Sequence, residues 1–233
     1  MLINNRIDSG FETILPIPTY PDKITKEILK GKKWDNTKGN IPKFKTHLKE
    51  QLRTTQDGRC AYCRRFLGLV SDTHLEHIIE KALYTDFTYE IVNISLSCSE
   101  CNHAKNQHSS TLKRKLKQKK YVPPFLFRPI PPGTSYPVAP QAYRFVHPYF
   151  DKYSDHITIS KGWIYKHHSV KGAKQIRFLK FNAIGKIEKQ FRIERLRGRK
   201  GTGSKLIYLM SECAYEKLPD LISQFSESLR KGK

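Results

Sequence analysis

Along the chain the apolar positions change period several times, and each change marks an element. From Pro42, which suits a first helical turn, Phe44, Leu48 and Leu52 recur every four residues and predict an amphipathic helix running to about the QDGRC stretch. Its apolar face is expected to pack against the cysteine-containing region that follows. Residues 60–120 read as strand, loop, strand and helix. LEHIIEK closes the first strand, the alternating β-branched run IVNISLS forms the second, and the Ala, Lys, Leu and Gln content after Asn102 carries the helix. Upstream, Pro16, Pro18 and Pro21 break any early helix, so residues 1–41 form a weakly patterned N-terminal segment with one short helix around ITKEILK. Eight prolines between 121 and 148 forbid regular helix or central strand there. The Phe125, Phe127, Tyr136 and Tyr143 interleaved with them suggest an extended connector packed along a surface. In residues 149–233, strands at HITIS and GWIYKH precede helices at AKQIRFLKFN, KIEKQFRIERLR and KLIYLMSECAYEKL. The expected fold class is therefore α+β, in four sections: 1–41, a compact core at 42–120, a Pro-rich connector at 121–148, and a mixed, mainly helical region at 149–233.

Composition narrows the class of protein. At 233 residues the chain suffices for one sizeable core or two small domains. No apolar run approaches the roughly 18 residues needed to span a bilayer. The N-terminus lacks a basic segment followed by an apolar run and a cleavage site, so a cytoplasmic location without membrane insertion is expected. The net charge of +22, from 43 Lys and Arg against 21 Asp and Glu, concentrates polyanions around the molecule and makes nucleic acid the natural partner. Acidic proteins and anionic lipid also bind basic chains, but no basic amphipathic helix with an aromatic face supports the lipid alternative.

Cysteine spacing adds a definite site. Cys60 and Cys63 in CAYC and Cys98 and Cys101 in CSEC form two Cys-x-x-Cys pairs separated by 34 residues, while Cys213 stands apart. Two thiolates two residues apart can reach one ion from a tight turn, and two such turns make a closed tetrahedral site for structural Zn²⁺. Four thiolates leave no position for water, so this ion should brace the fold and take no part in bond breaking. A redox dithiol is the alternative for either pair.

Between the pairs stand Glu76 and His77, then Asn93, and Asn102 follows the second pair directly. The order CAYC, LEHIIEK, VNISLSC, CNHAK over residues 60–108 resembles the HNH endonucleases, the zinc-braced branch of the ββα-metal nucleases. The resemblance implies a ββα-metal core and hydrolysis of phosphodiester bonds. It assigns His77 as general base, Glu76 and Asn102 as ligands of a catalytic divalent cation, Mg²⁺ with Mn²⁺ also fitting, and Asn93 as the residue that holds the loop and orients His77. In that family Asp is frequent where this chain has Glu76, and Pro where it has Glu80, so Glu80 stands as an alternative ligand. His103 and His108 are alternatives to Asn102. Lys105 matches the lysine three residues beyond the last ligand. With it, Lys113, Arg114, Lys115 and Lys117 in the basic run KRKLKQKK further along the helix would contact phosphates flanking the cut. A solvated charge run is the plainer account of KRKLKQKK.

The downstream text, VHPYFDKYSDHITI and KGAKQIRFLKFNAIGKIEKQFR, is similar to the region after the HNH core in the nucleases of retron-associated and Septu-type phage-defence systems. That likeness implies a defence role and a partner ATPase. The substrate is nucleic acid, DNA or RNA. The competing functional classes are a zinc-knuckle nucleic-acid-binding module that does not cut, and an adaptor subunit docking an acidic partner. A pure binder has no need of an imidazole at position 77.

Overall fold

The computed structural model describes residues 6–67, 73–115 and 124–197, with only the backbone of 108–115 and 191–197. It is a mixed α/β arrangement with two small antiparallel sheets. In chain order the elements are α1 (Lys26–Leu29), α2 (Asn40–Thr55), β1 (Thr73–His77), β2 (Ile94–Cys98), α3 (Ser99–Lys115), β3 (Ile157–Ser160), β4 (Ile164–His167), α4 (Val170–Phe178) and α5 (Ile184–Arg197). Among the described residues no helix is long and apolar enough to cross a membrane. The helix expected at KLIYLMSECAYEKL, and Cys213 within it, lie outside the described residues.

α2 follows the four-residue pattern: Ile41, Phe44, Leu48 and Leu52 are buried along one stripe. The helix stops where Asp57 and Gly58 take left-handed backbone angles, with φ of 50° and 60°. Gln56, at this end, is fully buried and ties the helix to β2. Its amide accepts from Leu96 N–H at 2.8 Å and donates to the carbonyls of Leu96 at 3.0 Å and Arg59 at 2.7 Å. Leu96 also accepts from Ala61 N–H at 2.9 Å, so the first Cys-x-x-Cys turn docks on the same edge of β2.

β1 and β2 pair antiparallel, with Glu76 opposite Ser95 and His77 opposite Ile94. β2 begins three residues later than the IVNISLS pattern suggests, because Ile91–Asn93 close a 3₁₀ turn. The β-branched residues there favour a strand, but the Asn93 amide is committed to the preceding loop and bends the chain. α3 begins at Ser99, earlier than the position after Asn102 expected from composition, so Cys101 and Asn102 both belong to its first turn.

One buried cluster gathers Ile14 and Leu29 near the N-terminus, Phe44 and Leu48 of α2, Ile94 and Leu96 of β2, Phe125 and Phe145 from the Pro-rich stretch, and Trp163 and Phe181 beyond it. Two polar contacts lock the 149–197 part onto the first cysteine turn. Tyr165 donates its hydroxyl to the Cys63 carbonyl at 2.7 Å, and Gln175 donates to the Tyr62 carbonyl at 3.2 Å. The cysteine turn is thus gripped from α2, β2, β4 and α4.

Gln56→Ala would leave the buried Leu96 N–H without its partner and should lower stability by about 1–3 kcal/mol. Gln56→Glu should not rescue it, since a carboxylate has no N–H to offer the Arg59 and Leu96 carbonyls. Urea unfolding of the three proteins checks this; an alanine variant with the parent's midpoint would show that the Gln56 bridge carries no stability.

Candidate functional site

The four cysteines converge. The sulfurs of Cys60, Cys63, Cys98 and Cys101 lie within 4.8 Å of one another, with Cys63 and Cys98 at 3.8 Å, although 34 residues separate the two pairs. Arg64 closes the first turn with φ of 62°, its N–H bonded to the Cys60 carbonyl at 3.0 Å. Cys98 ends β2 and Cys101 sits in the first turn of α3, so the second pair is formed by a strand-to-helix junction.

The surroundings fit a tetrathiolate ion. Zn²⁺ with four thiolates carries a net charge of about −2, and the two residues after Cys63 are arginines. Arg64 is fully buried, its guanidinium 3.5 Å from the Phe11 ring centroid and 4.2 Å from that of Tyr153. It donates to the Glu12 carbonyl at 3.2 Å, while its Nε and Nη1, and the Nε and Nη2 of Arg65, have no partner. Burial pulls Arg64 down to about 10, and the charges of Tyr153, Cys60, Glu12 and Cys63 act the other way, so it stays cationic near neutrality. The buried guanidinium of Arg64 and the half-buried one of Arg65, whose Nη1 pairs with Glu100 at 3.4 Å, have unused donors that are costly beside neutral thiols and are offset beside a dianionic cluster.

The second site lies at the other end of the hairpin. After β1 the chain loops out through residues 78–92 and returns at Asn93, whose fully buried amide uses its whole hydrogen-bonding capacity. Its Oδ1 accepts from Ile79 N–H at 2.7 Å and Tyr136 Oη at 3.2 Å; its Nδ2 donates to the carbonyls of Ile79 at 3.1 Å and Phe87 at 3.0 Å. The clamped loop brings the Thr88 carbonyl to His77 Nε2 at 2.9 Å. A carbonyl only accepts, so Nε2 carries the proton and Nδ1 keeps its lone pair. His77 is 6% exposed, and the Trp34 ring packs edge-on against it with centroids 4.4 Å apart.

Burial lowers His77 from 6.5 to about 3; the Thr88 bond opposes this, and the charges of Lys105, Lys81 and Lys45 add to it. The imidazole is therefore neutral across the physiological range. Its neighbour Glu76, also buried, receives the Lys105 ammonium on one carboxylate oxygen, and the same ammonium bonds the His77 carbonyl. Lys105 is 2% exposed. Its position therefore differs from that expected of a phosphate-contacting residue: its charge is engaged by Glu76.

Glu76, His77, Asn102 and Lys105 share the wall of one cavity of about 380 Å³ with Trp34, Asp35, Leu75, Glu80, Lys81, Ala82 and Asn106. The half-buried Asn102 accepts from Asn106 Nδ2 at 3.0 Å through its side-chain oxygen. Asn93 stands behind the cavity, and His103 is exposed outside its lining. Lys113, Arg114 and Lys115 fall in the backbone-only part of α3. The His108 side chain and Lys117 lie outside what is described. Trp34, Lys81 and the Thr88 carbonyl are site components that residue patterns do not announce; only the rarity of tryptophan marks Trp34, within GKKWD.

Residues 60–108 match the family model described as HNH endonuclease. The match spans both cysteine pairs, β1, β2, Asn93 and the opening of α3. No curated protein and no solved structure matches the chain.

Two outcomes follow from this geometry. Cys98→Ser should reduce bound zinc, measured by atomic absorption, and lower the melting temperature; full metal content in that variant would exclude the four-sulfur site. For His77, the unfolded chain takes up a proton near pH 6.5 and the folded one only toward about 3. Stability contributed by the neutral ring is thus complete above about 6.5 and is lost as pH falls through that window. Urea midpoints between pH 7.5 and 4 should fall less steeply in His77→Gln than in the parent, and parallel curves would contradict burial of a neutral imidazole.

Proposed function

We propose that this chain is a metal-dependent HNH endonuclease with a ββα-metal core that hydrolyses phosphodiester bonds in nucleic acid. The observation that supports it most directly is the shared cavity wall: a neutral imidazole with a free Nδ1 lone pair beside a carboxylate and a helix-borne amide oxygen. The family match over 60–108 supports the same class of chemistry.

Glu76 and Asn102 offer the hard oxygen atoms suited to a divalent cation such as Mg²⁺ or Mn²⁺, and Glu80 stands in the same wall. When bound, such an ion supplies positive charge to the scissile phosphate and to the departing oxygen. The chain's own residues do the rest. His77 Nδ1 accepts a proton from a water as its oxygen bonds to phosphorus; the bond from phosphorus to the 3′ oxygen breaks, and that oxygen is protonated from solvent. The products carry 5′-phosphate and 3′-hydroxyl ends. Thr88 holds the imidazole in the required tautomer, and Asn93 holds Thr88 in place. Lys105, bonded to one oxygen of Glu76, orients the carboxylate so that the other faces the cavity.

The resemblance to retron-associated and Septu-type nucleases extends the proposal to a nuclease subunit in phage defence, working with a partner ATPase in the cytoplasm. Its test is cleavage of plasmid, single-stranded DNA and tRNA with Mg²⁺ and with EDTA, in the presence and absence of the ATPase from the same operon.

His77→Ala should slow cleavage by about 10²–10⁴-fold while zinc content and nucleic-acid binding stay at parental levels. Cleavage at the parental rate would remove the general-base assignment.

A further inference from the structure

The cavity containing Glu76 and His77 adjoins a second one of about 570 Å³, and the two share Trp34, Asp35, Lys81 and Ala82 in their walls. The second cavity lies outside the four-residue constellation, and its outer wall is the 30–36 loop: Lys30, Gly31, Lys32, Lys33, Trp34, Asp35 and Asn36. We propose that this loop forms a phosphate-binding subsite that carries the substrate strand away from the cut, gripping the sugar–phosphate backbone without regard to base sequence. The inference rests on the nuclease reading for the identity of the neighbouring centre.

Charge is the first support. Lys30, Lys32 and Lys33 are exposed on the loop and the half-buried Lys81 lines the same cavity, against Asp35 and Asp86. Lys45 adds a fifth ammonium, 4.6 Å from the Trp34 ring centroid, and it feels both Asp35 and the like charge of Lys81. Rigidity is the second. Tyr89 donates its hydroxyl to the Lys32 carbonyl at 2.9 Å, Lys32 N–H bonds the Leu29 carbonyl at 3.1 Å, and Asn36 N–H bonds the Lys33 carbonyl at 3.1 Å. Lys26 of α1 is ion-paired with Glu90, which fixes the loop's approach. The lysines are thus presented from a braced backbone, so that binding has only their side chains left to order.

The aromatic contacts decide what is gripped. Trp34 is packed by His77, Phe44 and Tyr89 and has Lys45 over its ring, so it is not a free platform for stacking a base. Phosphates are what the remaining surface can recognise, and phosphate contacts position a strand without specifying its sequence.

The test is charge reversal at the exposed pair, Lys32→Glu with Lys33→Glu, against a control with the same change of net charge on the β3–β4 hairpin, Lys161→Glu with Lys166→Glu. Binding of labelled single-stranded DNA, duplex DNA and RNA oligonucleotides of two unrelated sequences is measured on the zinc-loaded protein without added Mg²⁺ or Mn²⁺, so that the result does not depend on cutting. The loop variant should bind at least about tenfold more weakly, with the slope of log K against log salt shallower by about two. The control should change far less, and the two sequences should respond alike. Equal weakening in the two variants would reduce the effect to overall charge and overturn the subsite, as would unchanged binding in the loop variant or a loss confined to one sequence. A parent protein that binds through the loop but never cleaves would instead overturn the nuclease reading and leave the subsite standing.

Discussion

The geometry of the site depends on the buried amide of Asn93. Its four hydrogen bonds join Ile79, two residues past β1, the 3₁₀ turn ending at Phe87 and the Tyr136 hydroxyl, and no bonding capacity is left over. A buried donor or acceptor left unmade costs about 1–3 kcal/mol, so alternative courses for residues 79–92 are penalised several times over. The same fold of the loop delivers one carbonyl, that of Thr88, to one ring nitrogen. A residue that never touches the cavity thereby decides which nitrogen of His77 bears a proton.

The cysteine cluster sets the position of the partner groups. It joins the end of β2 and the start of α3 to the turn at 60–63, and α3 then carries Asn102 and Lys105 toward the β1 residues that need them. Being fixed at its first turn, α3 has little freedom to slide, and its fourth and seventh residues are placed to within the tolerance of a hydrogen bond. Arg64 and Arg65 make this junction charge-dependent: with the thiols protonated, their unpaired buried donors are a liability, and with the sulfurs anionic they balance it. Local structure and ionisation of the cluster are therefore coupled. Tyr165 and Gln175 extend that dependence to the later strands and helices.

What the sequence made legible was local. The two cysteine pairs, the Glu76–His77 dipeptide and the opening of α3 lie within short windows whose spacing carries chemical meaning. The periodicity of Phe44, Leu48 and Leu52 likewise reports a single helix. Relations between windows were not legible. Trp34 reaches His77 across 43 positions, from a segment whose prolines and lysines show no period. Gln56 reads as an ordinary helix terminus, yet it is a bridge to β2. The start of β2 is misplaced by pattern alone, since the β-branched Ile91 and Val92 favour a strand while the Asn93 amide, committed elsewhere, bends the backbone. Lys105 reads as one more cation of a basic helix; only the fold shows its ammonium turned inward onto Glu76.

That inward turn bears on how strong a base His77 is. Lys105, Lys81 and Lys45 all oppose its protonation, on top of burial. An imidazole at about 3 is a feeble proton acceptor toward water. A phosphodiester entering the cavity, as the proposed function requires, would bring one negative charge into the field of these lysines. By opposing their potential, that charge favours the protonated ring and raises its basicity. On the proposed nuclease reading, Lys45 and Lys81 would both draw the phosphate in and have their effect on His77 offset by it. On that reading the charge of the phosphate and that of a bound divalent cation act on the ring in opposite directions, so the basicity of His77 would follow occupancy of the cavity without any movement of the backbone.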